Sequence, residues 1–514
     1  MATKTYSVDE LIELAGSSKE RFSKLDADRS SVLDRARECS KLTIPSVVTD
    51  SGSTESDDLP TPYQAVGARL VQNLAAKLLL SLMPPNEAFF RLMPSPEIVE
   101  LAKQSQDNAS EELEANLITI EQEIMKQIER EALRVPIFEA IKSLIIGGNA
   151  LLYKTEQGIK SYRLANYVVS RDYSGKPIEF ITKESLAKDA LPDDILDQVL
   201  SDPDLREAES VTIYTRAIKK EGVWYEFQEV EQFVVDGSDA SYKDDNELPF
   251  IALRWTSING ESYGRGLVEQ YLGDFRSLEA LYQLMIEASS VMSRVIFGKR
   301  AGSVIDVDDI NNAENGVCIL GDLENDITTL RVDKGGDLSL PMQMVEQLTR
   351  RLEQAFMVAS SAARDSERTT ATEIRYLAAD LEQTLGGVYS ILSLELQRPL
   401  AYLLLKQSKA DIKSLGIELV IVTGVEALGR NAELDKLRQL NAMIQELGAP
   451  DIILSRLNVG AYIDRLANAL SLDTVGLIKT DEELAAEQQA QQQQQMEAQG
   501  AQALMGAAQS QLSK

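Results

Sequence analysis

Residues 266–297, GLVEQYLGDFRSLEALYQLMIEASSVMSRVIF, govern how the rest of the chain is read. Tyr271, Leu278, Met285 and Met292 recur every seven residues, and Leu281, Ala288 and Val295 interleave with them three positions on. Such a repeat puts one narrow apolar seam on a long helix, suited to packing against neighbouring helices. The spacing predicts a second helix over 341–358, with Val345, Leu348, Leu352 and Ala355 on its seam. A polar stretch follows at 360–370, SSAARDSERTT. A third helix is expected from near Ala371, carrying Ile374, Ala378, Leu381, Leu385, Val388 and Leu392. Gly386-Gly387 lies inside it, where each glycine costs ~1 kcal/mol relative to alanine, and Pro399 follows. Both are expected kink sites. The arrangement is mechanical: helical walls with a charged loop between them, and no reaction centre.

Composition narrows the function classes. The 514 residues carry 52 Lys plus Arg against 81 Asp plus Glu, a formal net charge of −29. A protein that wraps nucleic acid needs a basic face to neutralise phosphate. An acidic wall instead repels phosphate and lets a duplex slide past. There is no histidine, so the commonest general base and the commonest transition-metal ligand are both missing. Cys39 and Cys318 are the only cysteines; they form no disulfide framework or zinc motif, which points to a reducing compartment. Both are expected to be buried small apolar residues. Met1 leads into a polar helix rather than a signal peptide, and no apolar run reaches the ~18 residues of a membrane span. The closest, 74–83, is interrupted by Lys77.

Ser7-Val8-Asp9-Glu10 and Ser17-Ser18-Lys19-Glu20 are capping-box patterns, and the second is expected to open one helix running through Phe22, Leu25, Val32, Ala36 and Cys39. Thr61-Pro62 carries a threonine cap and a first-turn proline, so a helix is expected from there to Pro84-Pro85. Further helices are expected over 110–133 and from Pro136 to Gly147-Gly148. From 150 to 255 the period becomes two, which predicts a mainly antiparallel sheet. It includes a hairpin of 162–171 and 178–183 around Tyr173-Ser174-Gly175-Lys176. The class is α+β, mainly helical. Within 298–336, strands are expected at 303–307, 317–320 and 327–332, making a small β-containing tip on a helical stalk. A strand at 417–423 and helices at 434–447 and 452–470 follow, and from 485 the chain is a Gln/Ala-rich tail expected to be disordered.

Four stretches together resemble the portal proteins, or head-to-tail connectors, of short-tailed podovirus-type bacteriophages. They are 61–69 (TPYQAVGAR) with Asn73-Leu74-Ala75; 260–265 (GESYGR) continuing through 271–274 and 276–279; 373–376 (EIRY) with 385–392 (LGGVYSIL) and 395–397; and Thr423-Gly424 with Glu426-Ala427 and Gly429-Arg430. In this order they cover about residues 20 to 480.

The resemblance implies a portal fold assigned by parts. These are an N-terminal helical arm (1–60), a wing (61–265), a first stem helix (266–297), a clip (298–336) and a second stem helix (337–359). A tunnel loop or valve (360–370), a kinked helix with wing return (371–430), a crown (431–484) and the glutamine-rich tail (485–514) complete the chain. It implies a homo-oligomeric ring, usually a dodecamer, at one capsid vertex of the virion, assembled in the host cytoplasm. Double-stranded DNA would pass without sequence recognition during packaging, retention and ejection. Capsid and scaffolding proteins would meet the wing, the terminase motor and later the tail adaptor the clip, and internal core or ejection proteins the crown, with no membrane partner.

Arg364 and Arg368 are the expected DNA-contacting residues of the tunnel loop, since guanidinium grips phosphate without reading bases. Asp365 and Glu367 beside them allow a second reading, a local solvated ion-pair loop. Glu279, Glu287, Arg294, Arg350, Arg351 and Glu353 are candidates for subunit contacts or bore lining. No catalytic residue, cofactor or metal is assigned. Gly298-Lys299-Arg300 lacks the glycine and hydroxyl residue of a phosphate loop. Asp306, Asp308 and Asp309 lack the glycine and distal glutamate of a calcium loop. The protein is thus read as no enzyme. The alternative is a capsid or scaffolding structural protein that conducts no DNA.

Overall fold

The structure is a computed structural model. It describes residues 6–49, 57–85, 88–95, 97–98, 109–201, 203–231, 233–292, 296–312, 314, 318, 320–330, 338–358, 371–407 and 416–422. The chain divides into two units, Met1–Gly424 and Val425–Lys514, and all described residues belong to the first. The stretch 360–370 with Arg364 and Arg368, the crown and the glutamine-rich tail therefore lie outside the described residues.

At the N-terminus, α1 (Val8–Ala15) opens on a full capping box: Ser7 Oγ accepts the Glu10 N–H and the Glu10 carboxylate accepts the Ser7 N–H. Ser17 caps α2 (Ser18–Asp28) by accepting the Glu20 N–H. The single helix expected through Cys39 is in fact two, because α3 (Ser30–Lys41) begins after a break at Arg29. The buried Arg29 guanidinium donates to Asp26 and to the Leu164 and Ala165 carbonyls, a demand that a continuous solvated helix face would not satisfy.

The next helix, α4 (Val66–Leu82), starts later than Thr61-Pro62 implies. The Tyr63 and Gln64 N–H groups donate to the Glu279 carboxylate, and the Gln64 side chain, not Thr61, accepts the Gly67 N–H. Leu70, Val71, Leu74, Ala75, Leu78 and Leu82 of α4 are fully buried and form the middle of the main core. Strand β1 (Phe90–Pro94), α5 (Ala109–Arg130) and α6 (Arg134–Gly147) follow. Gly148 ends α6 in the left-handed region, φ +76, with its N–H on the Leu144 carbonyl. A Cβ there would sit 2.5 Å from the Arg265 carbonyl carbon. Only glycine allows the approach that seats the 264–266 turn.

The period-two region is antiparallel throughout. Its elements are β2 (Asn149–Thr155), β3 (Gly158–Tyr162), β4 (Tyr167–Arg171), β5 (Pro177–Ala187), α7 (Asp193–Ser201) and α8 (Pro203–Arg206). They continue with β6 (Ser210–Lys220), β7 (Val223–Val230), β8 (Phe233–Val234), β9 (Ala240–Tyr242) and β10 (Phe250–Arg254). They form two sheets, β10-β2-β3 and β4-β5-β6-β7-β8, with β9 on β7. Tyr162 belongs to β3, so the first strand of the expected hairpin is shorter, β4, while the second, β5, is longer than expected and runs on to Ala187. Stacked Phe180, Trp224 and Phe250 join the sheets in a second core.

The 266–297 helix is also shorter than its repeat suggests. It comprises α9 (Leu267–Gln270) and α10 (Leu272–Met292). Ile296 and Phe297 instead enter β11 (Ile296–Lys299), which pairs with β12 (Ile327–Leu330). The expected strand at 303–307 is not formed: residues 303–306 take no regular structure, and α11 (Val307–Asn311) begins at its last position, where Asp306 accepts the Asp308 N–H and caps the helix. α12 (Leu323–Asp326) precedes β12. The second stem helix is α13 (Ser339–Ala355). The third, α14 (Ala371–Leu392), passes through Gly386-Gly387 unbroken. Its irregularity is a π turn at Ser393–Gln397, before α15 (Arg398–Gln407). Pro399 lacks the N–H a regular ladder needs, and a wider turn ahead of it accommodates that loss. β13 (Ile417–Ile421) returns to pair with β1. Cys39 is buried, whereas Cys318 is exposed rather than buried.

Candidate functional site

Helices α10 and α13 form an antiparallel pair, since the start of one meets the end of the other. Phe275 and Phe356 meet edge to face at 5.8 Å, and Arg351 Nε donates to Asp274 at 2.7 Å. Leu278 and Leu352 are fully buried at this root. Leu281, Met285, Ala288, Val345 and Leu348 farther out are half-buried. The root of the heptad seam is thus buried within one chain, and its outer part is half-covered.

Both helices carry a further apolar set that none of the described residues covers. Leu284, Ile286 and Val291 on α10, and Leu340, Met342 and Met344 on α13, are between 45% and 64% exposed. On a single surface helix one apolar stripe is expected; here each helix carries a stripe to its partner and more apolar surface besides.

The charged candidates divide. Glu279 is engaged within the chain by the Tyr63 and Gln64 N–H groups, Arg351 by Asp274, and Glu353 by Arg69 at 2.6 Å. Glu287 and Arg350 stay on the helix surface, accepting from Gln283 and donating to Glu346. Arg294 lies outside the described residues.

The exit from α13 is specific. Met357 takes φ +59, a left-handed value, and its N–H reaches the Gln354 carbonyl while the Val358 N–H reaches Glu353. This is the paired helix stop usually built on glycine. The Lys77 ammonium of α4 donates to the Met357 carbonyl at 2.6 Å. On the far side of 359–370, Tyr389 of α14 shares hydrogen bonds with the Ser81 hydroxyl at 2.8 Å and the Ser81 carbonyl at 3.1 Å. Gln397 of the π turn donates to the Leu82 carbonyl at 2.8 Å. Sequence reading noted Lys77 only as an interruption of an apolar run. A lone cation within that run was the available signal.

Among the described residues no group of three or more Asp, Glu or Cys side chains is placed to hold a metal ion. No described helix is long and apolar enough to cross a membrane.

Residues 15–478 match the family described as Bacteriophage head to tail connecting protein. The portal protein of Enterobacteria phage T3 is 39% identical over 482 residues, 90% of this chain and 88% of its own length. That of Escherichia phage T7 is 37% identical over 496 residues, 93% and 91%; that of Enterobacteria phage SP6 is 33% identical over 486 residues, 93% and 92%. Among solved structures, a chain from the virion of a native gene transfer agent particle covers 75% of this chain and 86% of its own at 13% identity. Its TM-score is 0.34, too loose an overlay to bear on architecture. With the family matched over most of its length and these relatives aligned along nine-tenths of it, this chain belongs to the bacteriophage head to tail connecting proteins, the portal proteins of the head–tail junction.

Proposed function

We propose that copies of this chain close into a ring, a dodecamer, at one capsid vertex, and that duplex DNA passes through its centre during packaging, retention and ejection. The observation that carries this reading is the apolar surface left exposed on α10 and α13 beyond the buried root of their shared seam. A closed ring of identical subunits needs two different patches per copy, meeting head to tail. Completing the burial of a half-exposed leucine or methionine contributes roughly 1 kcal/mol, so such residues repeated at every interface sustain association.

In this reading α10 and α13 are the stem, 61–265 the wing towards capsid and scaffolding proteins, and 298–336 the clip for the motor and then the tail adaptor. The stretch 360–370 is the tunnel loop, in which Arg364 and Arg368 meet phosphate, and 431–484 is the crown towards internal core proteins. The net charge of −29 keeps the remaining wall from holding the duplex. The chain acts as a conduit and hydrolyses no nucleotide.

Electron microscopy of the purified protein tests the reading. Rings with an opening wide enough for duplex are expected, and a solitary solid particle would overturn it. Leu284→Asp with Met344→Asp should leave circular dichroism unchanged, because both side chains already face solvent, yet abolish rings. Arg364→Ala with Arg368→Ala should leave rings intact and alter DNA retention.

A further inference from the structure

We infer that Asn149 is a positioning residue: its side-chain amide, with three glycines around it, sets the direction in which α9 and α10 leave the sheet region. The consequence for ring closure rests on the reading of α10 and α13 given above; the joint itself stands on contacts within the chain.

The chain reaches α9 through the turn at 264–266, which is inlaid between the end of α6 and the end of β10. Asn149 is the first residue of β2, opposite Arg254 of β10, and is 4% exposed. Its Oδ1 accepts the Gly264 N–H at 2.7 Å. Its Nδ2 donates to the Gly264 carbonyl at 2.9 Å and to the Gly147 carbonyl at 3.0 Å. The amide thus exchanges both bonds with the backbone of Gly264, as an opposed strand residue would. Two backbone bonds flank the pair: the Trp255 N–H on the Gly148 carbonyl at 3.0 Å, and the Arg265 N–H on the Thr256 carbonyl at 3.2 Å.

The fit leaves no slack. Besides Gly148, a Cβ at Gly264 would stand 2.8 Å from the Gly148 carbonyl oxygen, and one at Gly266 would stand 2.6 Å from the Ile146 carbonyl oxygen. Both obstacles are backbone and cannot rotate aside, so these glycines serve close contact rather than freedom. Directly beyond the turn, Leu267 and Val268 are buried in the main core. The first turns of α10 are then held from several sides: Asp274 by Arg351, Arg276 by Glu38 of α3 at 2.6 Å, and Glu279 by the Tyr63 and Gln64 N–H groups. All of these contacts follow from where the 264–266 turn points.

The residue type fits the task. The site asks for one acceptor and two donors in a single planar group, which is what a primary amide offers. Aspartate has the same size but only accepts, and it would turn a buried charge towards two carbonyls. An apolar residue of that size would fill the space and leave both backbone groups of Gly264 without this partner. Asn149 therefore specifies a position rather than a volume.

The test separates direction from stability. Spin labels on Tyr173→Cys, 95% exposed at the tip of the β4–β5 hairpin, and on Ser289→Cys, exposed on α10, report one distance within the chain. The background carries Cys318→Ser because Cys318 is exposed, whereas the buried Cys39 stays unlabelled. Labelled chains are diluted among unlabelled ones. The intact joint should give one narrow distance distribution. Asn149→Asp should widen it about twofold or more while circular dichroism stays native, and Asn149→Ser, which keeps one donor and one acceptor, should fall between. Gly266→Ala, which drives a wedge against the Ile146 carbonyl, should shift the mean distance. If Asn149→Asp does not fold, Asn149→Ser and Gly266→Ala carry the test. A merely stabilising residue would lower the urea midpoint and leave the native distance as it was; that result in these variants would overturn the inference. Ring yield by electron microscopy should fall in the order of widening. Widened distances with wild-type ring yield would overturn the consequence for assembly and leave the joint standing. Absence of rings from the unsubstituted protein would overturn the reading of α10 and α13, and the distances would still decide the joint.

Discussion

The Glu395 carboxylate receives Arg254 three times: from its backbone N–H at 2.9 Å, from Nε at 3.0 Å and from Nη2 at 2.6 Å. Arg171 stands 3.9 Å away and donates to the Ser262, Gly175 and Ala252 carbonyls. Burial pushes the Arg171 guanidinium down to about 10, and Glu395 pulls against that fall. Glu395 lies within the π turn that joins α14 to α15. A π turn inserts one residue into the helical ladder, and that change of phase presents the carboxylate to two arginines of different sheets.

Replacing Glu395 by alanine leaves two largely buried guanidinium groups without their shared counter-charge. The loss should be about 3 kcal/mol, the scale of breaking a buried pair from one side. It is read as a lower urea midpoint at unchanged slope. Glu395→Gln, which keeps an acceptor, should lose less.

Glu226 gives stability a pH dependence. Burial holds its carboxyl above the ordinary 4.5, against the opposing hydrogen bonds from Tyr153 and Tyr242. The folded protein thus binds this proton more tightly than the unfolded chain does. Its contribution to stability falls as pH rises from about 4.5 through the raised value, and the loss is complete above it. Glu226→Gln should flatten that part of the stability–pH curve, measured by denaturant melts at several pH values. A residual slope of the same sign should persist, since Glu121 is raised by burial in the same way.

The two cysteines should separate in reactivity. Burial pushes the Cys39 thiol up to about 12, while Cys318 is exposed. The thiolate is the reactive species, so maleimide should label Cys318 in the native protein. Cys39 should react only after unfolding, as read by mass spectrometry of the two peptides.

Particular elements show what was legible beforehand. The strands from Ala150 to Trp255 announced themselves because β-branched and aromatic residues between turn signals are a local feature of the chain. Strand β7 has the expected bounds, Val223–Val230, although it is buried on both faces rather than alternately. The capping box at Ser7 and Glu10 was equally plain, since both partners sit within one turn. The start of α4 was not, because Thr61-Pro62 carries a good local signal that Glu279, 216 residues away from Tyr63, overrides by taking the backbone donors itself. Propensity alone predicts a kink at Gly386-Gly387, whereas α14 runs through the pair and the break falls at the π turn.

The sequence by itself determined that two helices with heptad seams bracket a small β-containing insert, that an antiparallel sheet precedes them, and which phage family the chain resembles. Those properties rest on spacing along the chain, where side-chain periods of two and of three and a half to four are set by backbone geometry. Only the tertiary structure decided that Glu279, Arg351 and Glu353 are spent within the chain and that the Lys77 ammonium meets the Met357 carbonyl at the end of α13. Those choices depend on which polar groups meet after burial. An unpaired polar group in a core is too costly to leave, and its partner is found by distance in space, not by position in sequence.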